Sequence, residues 1–418
     1  MTLIPDLQNT PSSAVAHSKA TRPDVLVITS ELPWPLNTGG HIRSFHVLKA
    51  LSEQFHVRVI AGVESADDPG LAALDQNGIT VCPAFYGKRK SLNELCRVAW
   101  SAVREEPYVM FHRHNRSPMR QVIRQQLAEK TPDVVYLDHL DPLAFRGLFP
   151  KARLVADLHN VYSTLARRVA YERRFPVNLY LRNEARLIAR MEQQAASAAR
   201  VLMTVSDQER EQFQSLGCRS VHLVPNGVDC SAFRKYPVGR QHANPTLLYL
   251  GALSWQPNAK AAEFLAREVM PQLLAERPDV RLLIVGRNPG PEVNALNELP
   301  GVEVHANVPD VGEYLERASL LTVPLDSGGG TRLKILEAFA AGLPVVSTPV
   351  GCEGIDCVHG EHLWVAERER FAEALLEAIE APQLACEFAE RGRMLAEEKY
   401  DWSVIGRLAC AAVAEAVS

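Results

Sequence analysis

The chain has 418 residues, of which 47% are hydrophobic and 22% charged, enough for two or three domains with real cores and ordinary for soluble globular protein. A net charge of -4 leaves no global nucleic-acid footprint, and no run of 18 apolar residues offers a membrane span. Eight cysteines are scattered without a CxxC pair or a histidine at metal-ligand spacing, which reads as free thiols in a reducing, cytoplasmic compartment.

Residues 1–22 lack an apolar core of signal-peptide length and read as a disordered lead. From 23 to 225, β-branched runs alternate with amphipathic stretches. Strands are predicted at 25–29, 56–62, 79–85, 134–138, 153–159, 201–206 and 221–225. Between the first two, Ile42, Phe45, Leu48 and Leu51 recur at helical spacing and Val47 broadens the stripe. Residues 226–245, rich in Gly, Pro and polar side chains, read as a linker. The rhythm resumes over 246–400, with strands at 246–252, 281–286, 302–308, 320–325, 344–350 and 362–366. Helices are expected at 259–276, 331–341 and 368–380. Residues 401–418 read as a final helix. The fold class is therefore α/β, two doubly wound Rossmann-like sheets, with ligands expected at the carboxyl ends of strands, in a cleft the two halves share. Charge divides unevenly. Residues 1–225 carry 28 Lys+Arg against 22 Asp+Glu, leaving 17 against 27 of the chain's 45 and 49 for the remainder.

The segment DSGGGTRLKILE (326–337) directly follows the strand at 320–325. Glycines let backbone approach a ligand closely, and the free N–H groups of a helix start attract phosphate oxygens. Arg332 and Lys334 in the first turn oppose the helix dipole unless an anion is bound there. A diphosphate resolves that conflict; a flexible turn with solvated charges is the plainer reading. Glu337 lies one turn on, placed to accept from ribose hydroxyls or to pair with a lysine.

KILEAFAAGLPVVSTPVGCEGI (334–355) resembles the donor-site signature of glycosyltransferase family 4, retaining enzymes of the GT-B fold. The resemblance extends to ITSELPWPLNTGGHIRSFHVLKALSE (28–53), DLHN (157–160), LMTVSDQE (202–209), LVPNGVD (223–229), LLYLGALSWQPNAKAAEFL (247–265), LLIVGRNP (282–289) and VHANVPDVGEYLERASLLTVPL (304–325), in the family's order. It implies an acceptor domain first, a nucleotide-sugar domain second, and a last helix crossing back to the first. Glu337 matches the second Glu of the family's E-x7-E motif, which binds the donor ribose. The first falls at Gly329, which leaves the backbone of Gly330 and Thr331 to meet the donor sugar. Where the family commonly has an Arg and a Lys for the diphosphate, this chain has Ala252 and Asn258. Arg332 and Lys334 are therefore expected to take the leaving-group charge, with Lys260 a lesser candidate.

His159 is the expected catalytic histidine, beside donor sugar and acceptor hydroxyl, although a histidine capping a strand end is the bland alternative. Gly39 and Gly40 are expected to bring backbone close to the donor, or to form a simple turn after Pro35. Trp34 and Asn160 are assigned to the acceptor side, Trp34 either stacking on a sugar or merely packed. Arg287 and Val308 are expected near the nucleotide, with a surface role open for Arg287. No DxD motif is present and no covalent nucleophile stands out. Asp138 and Asp141 read as a loop cap, so no metal site and no cofactor beyond the nucleotide-sugar substrate is expected.

Arginines cluster from Lys88 to Arg124 and again from Arg167 to Arg190, the second run interleaved with Phe175, Leu179, Tyr180 and Leu187. Such a face suits anionic lipid and a lipid-linked acceptor, or is a solvated helical face; nucleic acid fits poorly without a stacking series. The expected partners are a UDP- or GDP-sugar and a saccharide or lipid-linked acceptor. A nucleotide-sugar epimerase and a non-catalytic nucleotide-sugar binder are the alternatives. A dehydrogenase is disfavoured, since no G-x-G-x-x-G follows either first strand.

Overall fold

The computed structural model describes residues 22–86, 97, 98, 100, 101, 104–240, 242, 244–327 and 332–418. Seven strands form the first sheet: β1 (Asp24–Thr29), β2 (His56–Val63), β3 (Val81–Phe85), β4 (Val134–Asp138), β5 (Leu154–Leu158), β6 (Val201–Thr204) and β7 (Val221–Leu223), in the order β3-β2-β1-β4-β5-β6-β7. Six form the second: β8 (Thr246–Ala252), β9 (Arg281–Arg287), β10 (Val302–Ala306), β11 (Leu320–Val323), β12 (Val345–Ser347) and β13 (Trp364–Val365), in the order β10-β9-β8-β11-β12-β13. All pairings within both sheets are parallel. The expected doubly wound α/β architecture is present twice. In each sheet the strand order reverses beside the first strand, between β1 and β4 and between β8 and β11. Chains leaving neighbouring strands there diverge and open a crevice.

Helix α1 (Gly39–Gln54) buries Phe45, Val47, Leu48 and Leu51 on the first sheet, as its apolar stripe demands, and with them Arg43. Helices α2 (Tyr162–Glu172) and α3 (Val177–Ala198) pack as an antiparallel pair beyond β5. In the second half, helix α4 (Gln256–Phe264) starts three residues earlier than predicted. Pro257 sits in its first turn, where the missing N–H has no partner to lose. Helix α5 (Leu333–Ala340) follows β11. Strands β11 and β12 end before the predicted 325 and 350. Pro324 and Pro349 donate no ladder hydrogen bond, and the chain leaves the sheet to form cleft loops.

Val228, Cys230 and Tyr236, within the segment read as a linker, are buried in the second half's core. The chain returns at the far end. Helix α6 (Trp402–Val417) buries Trp402, Ile405, Ala409 and Val413 against the first sheet beside α1. Outgoing and returning segments lie side by side: Val228 N–H donates to the Tyr400 carbonyl (2.8 Å), and Trp402 N–H to that of Val228 (3.2 Å). Among the described residues no helix is long and apolar enough to cross a membrane.

Candidate active site in the cleft

On the second half, α5 is the next element after β11. Its first turn brings Lys334 Nζ to 3.2 Å from Asn258 Oδ1 and 4.6 Å from the Tyr249 ring centre. Asn258 is fixed in turn. Its Oδ1 accepts from the Tyr249 hydroxyl (3.1 Å), and its Nδ2 donates to the Ala252 carbonyl (3.1 Å). Among the described residues no carboxylate forms an ion pair with Lys334. Burial, aided by the Arg332 charge, pushes the Lys334 ammonium down to about 7. Burial also pushes the Glu337 carboxyl up to about 7, against the attraction of Lys334. Arg332 precedes the helix with its side chain buried and donates to the Val350 carbonyl (3.4 Å). Burial lowers its pKa, with Glu353 opposing. Two cations thus sit desolvated at a helix start that no side chain among the described residues caps. An anion placed there relieves the desolvation of both, and a helix start favours one.

On the first half, Thr38 caps α1 by accepting from the His41 N–H (3.3 Å). Of the two glycines that follow, Gly39 meets the other half and Gly40 meets the histidines of its own. A Cβ on Gly39 would lie 3.3 Å from Leu333 Cδ1 of the other half; one on Gly40 would lie 3.4 Å from His139 Nε2 and 3.9 Å from His159 Nδ1. Any side chain larger than hydrogen would narrow the passage between the histidines and α5. The Arg287 guanidinium spans the cleft to the Asn37 carbonyl.

Beneath the glycines runs a buried polar network. Arg43, fully buried, grips Asp157 through Nη2 (2.6 Å) and Nε (3.1 Å), and its Nη1 donates to the Val224 and Pro225 carbonyls (2.8 and 2.9 Å). The Tyr136 hydroxyl donates to Asp157 Oδ2 (2.9 Å). His159 Nε2 lies 3.1 Å from Asp138 Oδ1 and 3.4 Å from Asp157 Oδ2, ion-pair distances at which no hydrogen bond of good angle closes. Burial opposes charge on His159, but Asp157 and Asp138 outweigh it and raise its pKa. Its neighbour behaves oppositely. Burial and the His159 charge lower the pKa of His139, whose ring centre is 3.7 Å away.

Two cavities open from the cleft. One, of about 680 Å3, lies between the halves and is lined by Asn160, Arg168, Ser206, Glu353, Asp356 and Tyr400, among others. The other, of about 350 Å3, lies in the first half, with His41, Arg113, His114, Asp138, His139 and Asp141 among its walls.

The expected residues therefore fall into two facing groups. Asn258, Arg332, Lys334 and Glu337 gather on the second half; Gly39, Gly40 and His159 gather on the first, and Arg287 reaches across. Asn160 lines the larger cavity. Val308 is half-buried against the second core, in the loop after β10. Trp34 packs on the first core, 6.4 Å from Phe45, and lines neither of these cavities. Lys260 is exposed. Gly329, Gly330 and Thr331 lie outside the described residues, as do Lys88, Arg89 and Lys90.

Asp138 is not a loop cap. Both its carboxylate oxygens are buried without a hydrogen bond, because β4 ends there and turns the side chain toward His159. With His139 and His159 it presents three ligand-type atoms within 4.8 Å of one another, the cluster able to hold a metal ion among the described residues. Arg43 and His139 were missed in the sequence. A charge inside the apolar stripe of α1 was the available signal for Arg43; nothing in the local pattern marked His139.

Residues 38–232 match a family model described as Glycosyltransferase Family 4, and residues 244–381 match one described as Glycosyl transferases group 1. A phosphatidyl-myo-inositol mannosyltransferase of Mycolicibacterium smegmatis is 30% identical over 213 residues, 49% of this chain and 54% of that protein. A GDP-mannose-dependent monoacylated alpha-(1-6)-phosphatidylinositol monomannoside mannosyltransferase of Corynebacterium glutamicum is 27% identical over 207 residues, 44% of this chain and 53% of that one. The chain spans about half the length of the curated relatives it matches. In fold, it is similar to Anabaena Alr3699/HepE, solved with UDP and glucose, at a TM-score of 0.64 and 17% identity, covering 93% of this chain and 99% of that one.

Proposed function

Because this chain belongs to glycosyltransferase family 4 and has the GT-B fold, we propose that it moves a sugar from a UDP- or GDP-linked donor to a saccharide or lipid-linked acceptor, with retained anomeric configuration. The observation that carries this reading is the desolvated pair Arg332 and Lys334 at the start of α5, whose Leu333 meets Gly39 across the cleft. In the proposed reaction the bond between anomeric carbon and diphosphate oxygen breaks while the acceptor oxygen bonds to that carbon from the same face. The acceptor's proton passes to the departing diphosphate oxygen. Lys334, Arg332 and the N–H groups beside them stabilise the charge that develops there, without a metal at the phosphates. Glu337 is assigned to the ribose and Arg287 to the nucleotide. His159, whose Nδ1 is buried without a partner near Gly40, is assigned to the donor sugar.

The arginine-rich α2–α3 pair supports a peripheral site of action on the cytoplasmic face of an anionic membrane. Tyr171, Phe175 and Leu179 are 86%, 79% and 62% exposed there, among Arg173, Arg174 and Arg182. That setting suits a lipid-linked acceptor in surface polysaccharide or glycolipid assembly, as the phosphatidylinositol mannosyltransferases among the relatives also suggest.

A melting-temperature screen against UDP, GDP, ADP and their sugars tests donor choice, since a ligand that binds only the native state raises the midpoint. NMR of the product formed from the stabilising nucleotide sugar and phosphatidylinositol vesicles then reads the configuration. Retention, undiminished by EDTA, is the expected result. Inversion, EDTA-sensitive turnover, or donor epimerised without any acceptor would each contradict the reading.

A further inference from the structure

Resting on that transferase reading, we propose that His139 is the side chain that receives the acceptor hydroxyl, a role distinct from that of His159 behind it. The two imidazoles are in contact, yet only one reaches an open space. His139 has 29% of its side chain exposed and walls the first-half cavity; His159 has 5% exposed and lines neither cavity. His159 turns Nε2 inward between the buried carboxylates of Asp138 and Asp157, at 3.1 and 3.4 Å.

The backbone supports the same division. His139 follows β4 directly and holds φ at 78°, a left-handed conformation uncommon outside glycine, and in that conformation its ring enters the cavity wall. Nδ1 is buried without a hydrogen-bond partner, 3.8 Å from Asp138 Oδ1. Nε2 is the atom nearest to where a Gly40 side chain would be, and in the tautomer with its hydrogen on Nδ1 it can accept from a hydroxyl. The pair is thus divided by position, His159 facing inward to two carboxylates and His139 standing at the cavity wall.

The walls suit a hydroxyl-rich ligand: Ser30, His41, Arg113, His114 and Asp141 present donors and acceptors around the same space. A hydroxyl donating to His139 Nε2 has its lone pair directed at the cleft, where the anomeric carbon would lie. Nε2 takes that proton as the acceptor oxygen bonds to the anomeric carbon and the bond to the diphosphate oxygen breaks, then releases it to the departing diphosphate oxygen, so His139 ends the cycle in the state in which it began.

The test compares the full chain with His139→Asn, which keeps a residue tolerant of left-handed backbone, and with His139→Ala. Donors are UDP-glucose and GDP-mannose; acceptors are phosphatidylinositol vesicles and methyl α-mannoside. Where neither acceptor is used, donor hydrolysis is read, with water in the acceptor's place. Both variants are expected to bind UDP and GDP as the parent does while losing at least about 100-fold in turnover, the scale of a positioned acid–base group. Turnover by His139→Asn within about threefold of the parent, at unchanged melting temperature, would overturn the assignment. So would a stoichiometric divalent ion in the purified parent that is lost in both variants, since the cluster would then be a metal site. If the parent itself turns over no nucleotide sugar, the transferase reading fails first and this assignment with it.

Discussion

Arg43 and Asp157 show how one buried pair organises the floor of the cleft. Both side chains are fully buried and lie 114 positions apart, one in the stripe of α1 and the other in β5. Desolvation opposes the charge on Asp157, yet the Arg43 guanidinium and then His159 outweigh it, holding the carboxyl well below the usual range. Removing one partner strands the other charge in a dry site. Arg43→Ala is therefore expected to lose roughly 3–5 kcal/mol of stability in urea titration. The depressed carboxyl also sets a pH window. Its stabilisation is complete above its unfolded pKa of about 3.9 and is lost as pH falls below that toward the folded value. Melting temperatures of the parent should fall steeply on acidification below about pH 4, and Asp157→Asn should show a shallower fall. The cations of the donor side were legible because Arg332, Lys334 and Glu337 are neighbours along one helix start. Arg43, Asp138 and His139 were not, since their meaning depends on partners that only the sheet order brings near.

At the scale of elements, α5, the start of α4 and β8 act as one unit, because Asn258 in α4 ties Lys334 to Tyr249 and to the end of β8. With the ammonium held down to about 7, Lys334 is partly neutral in the empty cleft at neutral pH. A bound diphosphate favours the charged form, raises this pKa, and so draws in a proton. Nucleotide affinity should therefore weaken as pH rises through about 7, the direction expected when the ligand prefers the protonated form. Calorimetry of UDP or GDP in buffers of different ionisation heat should show proton uptake at pH 7.5 in the parent and none in Lys334→Met. The strand cores were readable from their apolar runs, whereas their ends were overdrawn. Proline and the demands of the cleft, which periodicity does not report, decide where the chain leaves the sheet.

At the scale of the molecule, the halves are joined by two crossings that run side by side, and α6 completes the first half with residues from the far end of the chain. Its contact with α1 is tight. A Cβ on Gly406 would come within 2.6 Å of Ala50 Cβ. Gly406→Val should overpack that seam and cost about 1–3 kcal/mol, read as a melting temperature lowered by a few degrees with nucleotide affinity retained. The alternation of strands and helices made the two-sheet plan readable in advance. The return of the last helix came from family resemblance, since its own composition says only that it is amphipathic.

If the start of α5 holds the donor's diphosphate, removing the Lys334 ammonium must weaken nucleotide binding. Isothermal titration of UDP and GDP into the parent chain and into Lys334→Ala tests it most directly. The preferred nucleotide should bind the variant about 10- to 100-fold more weakly, matching the roughly 1.5–3 kcal/mol of a hydrogen bond to a charged group. Equal dissociation constants for parent and variant, in a variant that melts as the parent does, would contradict the account.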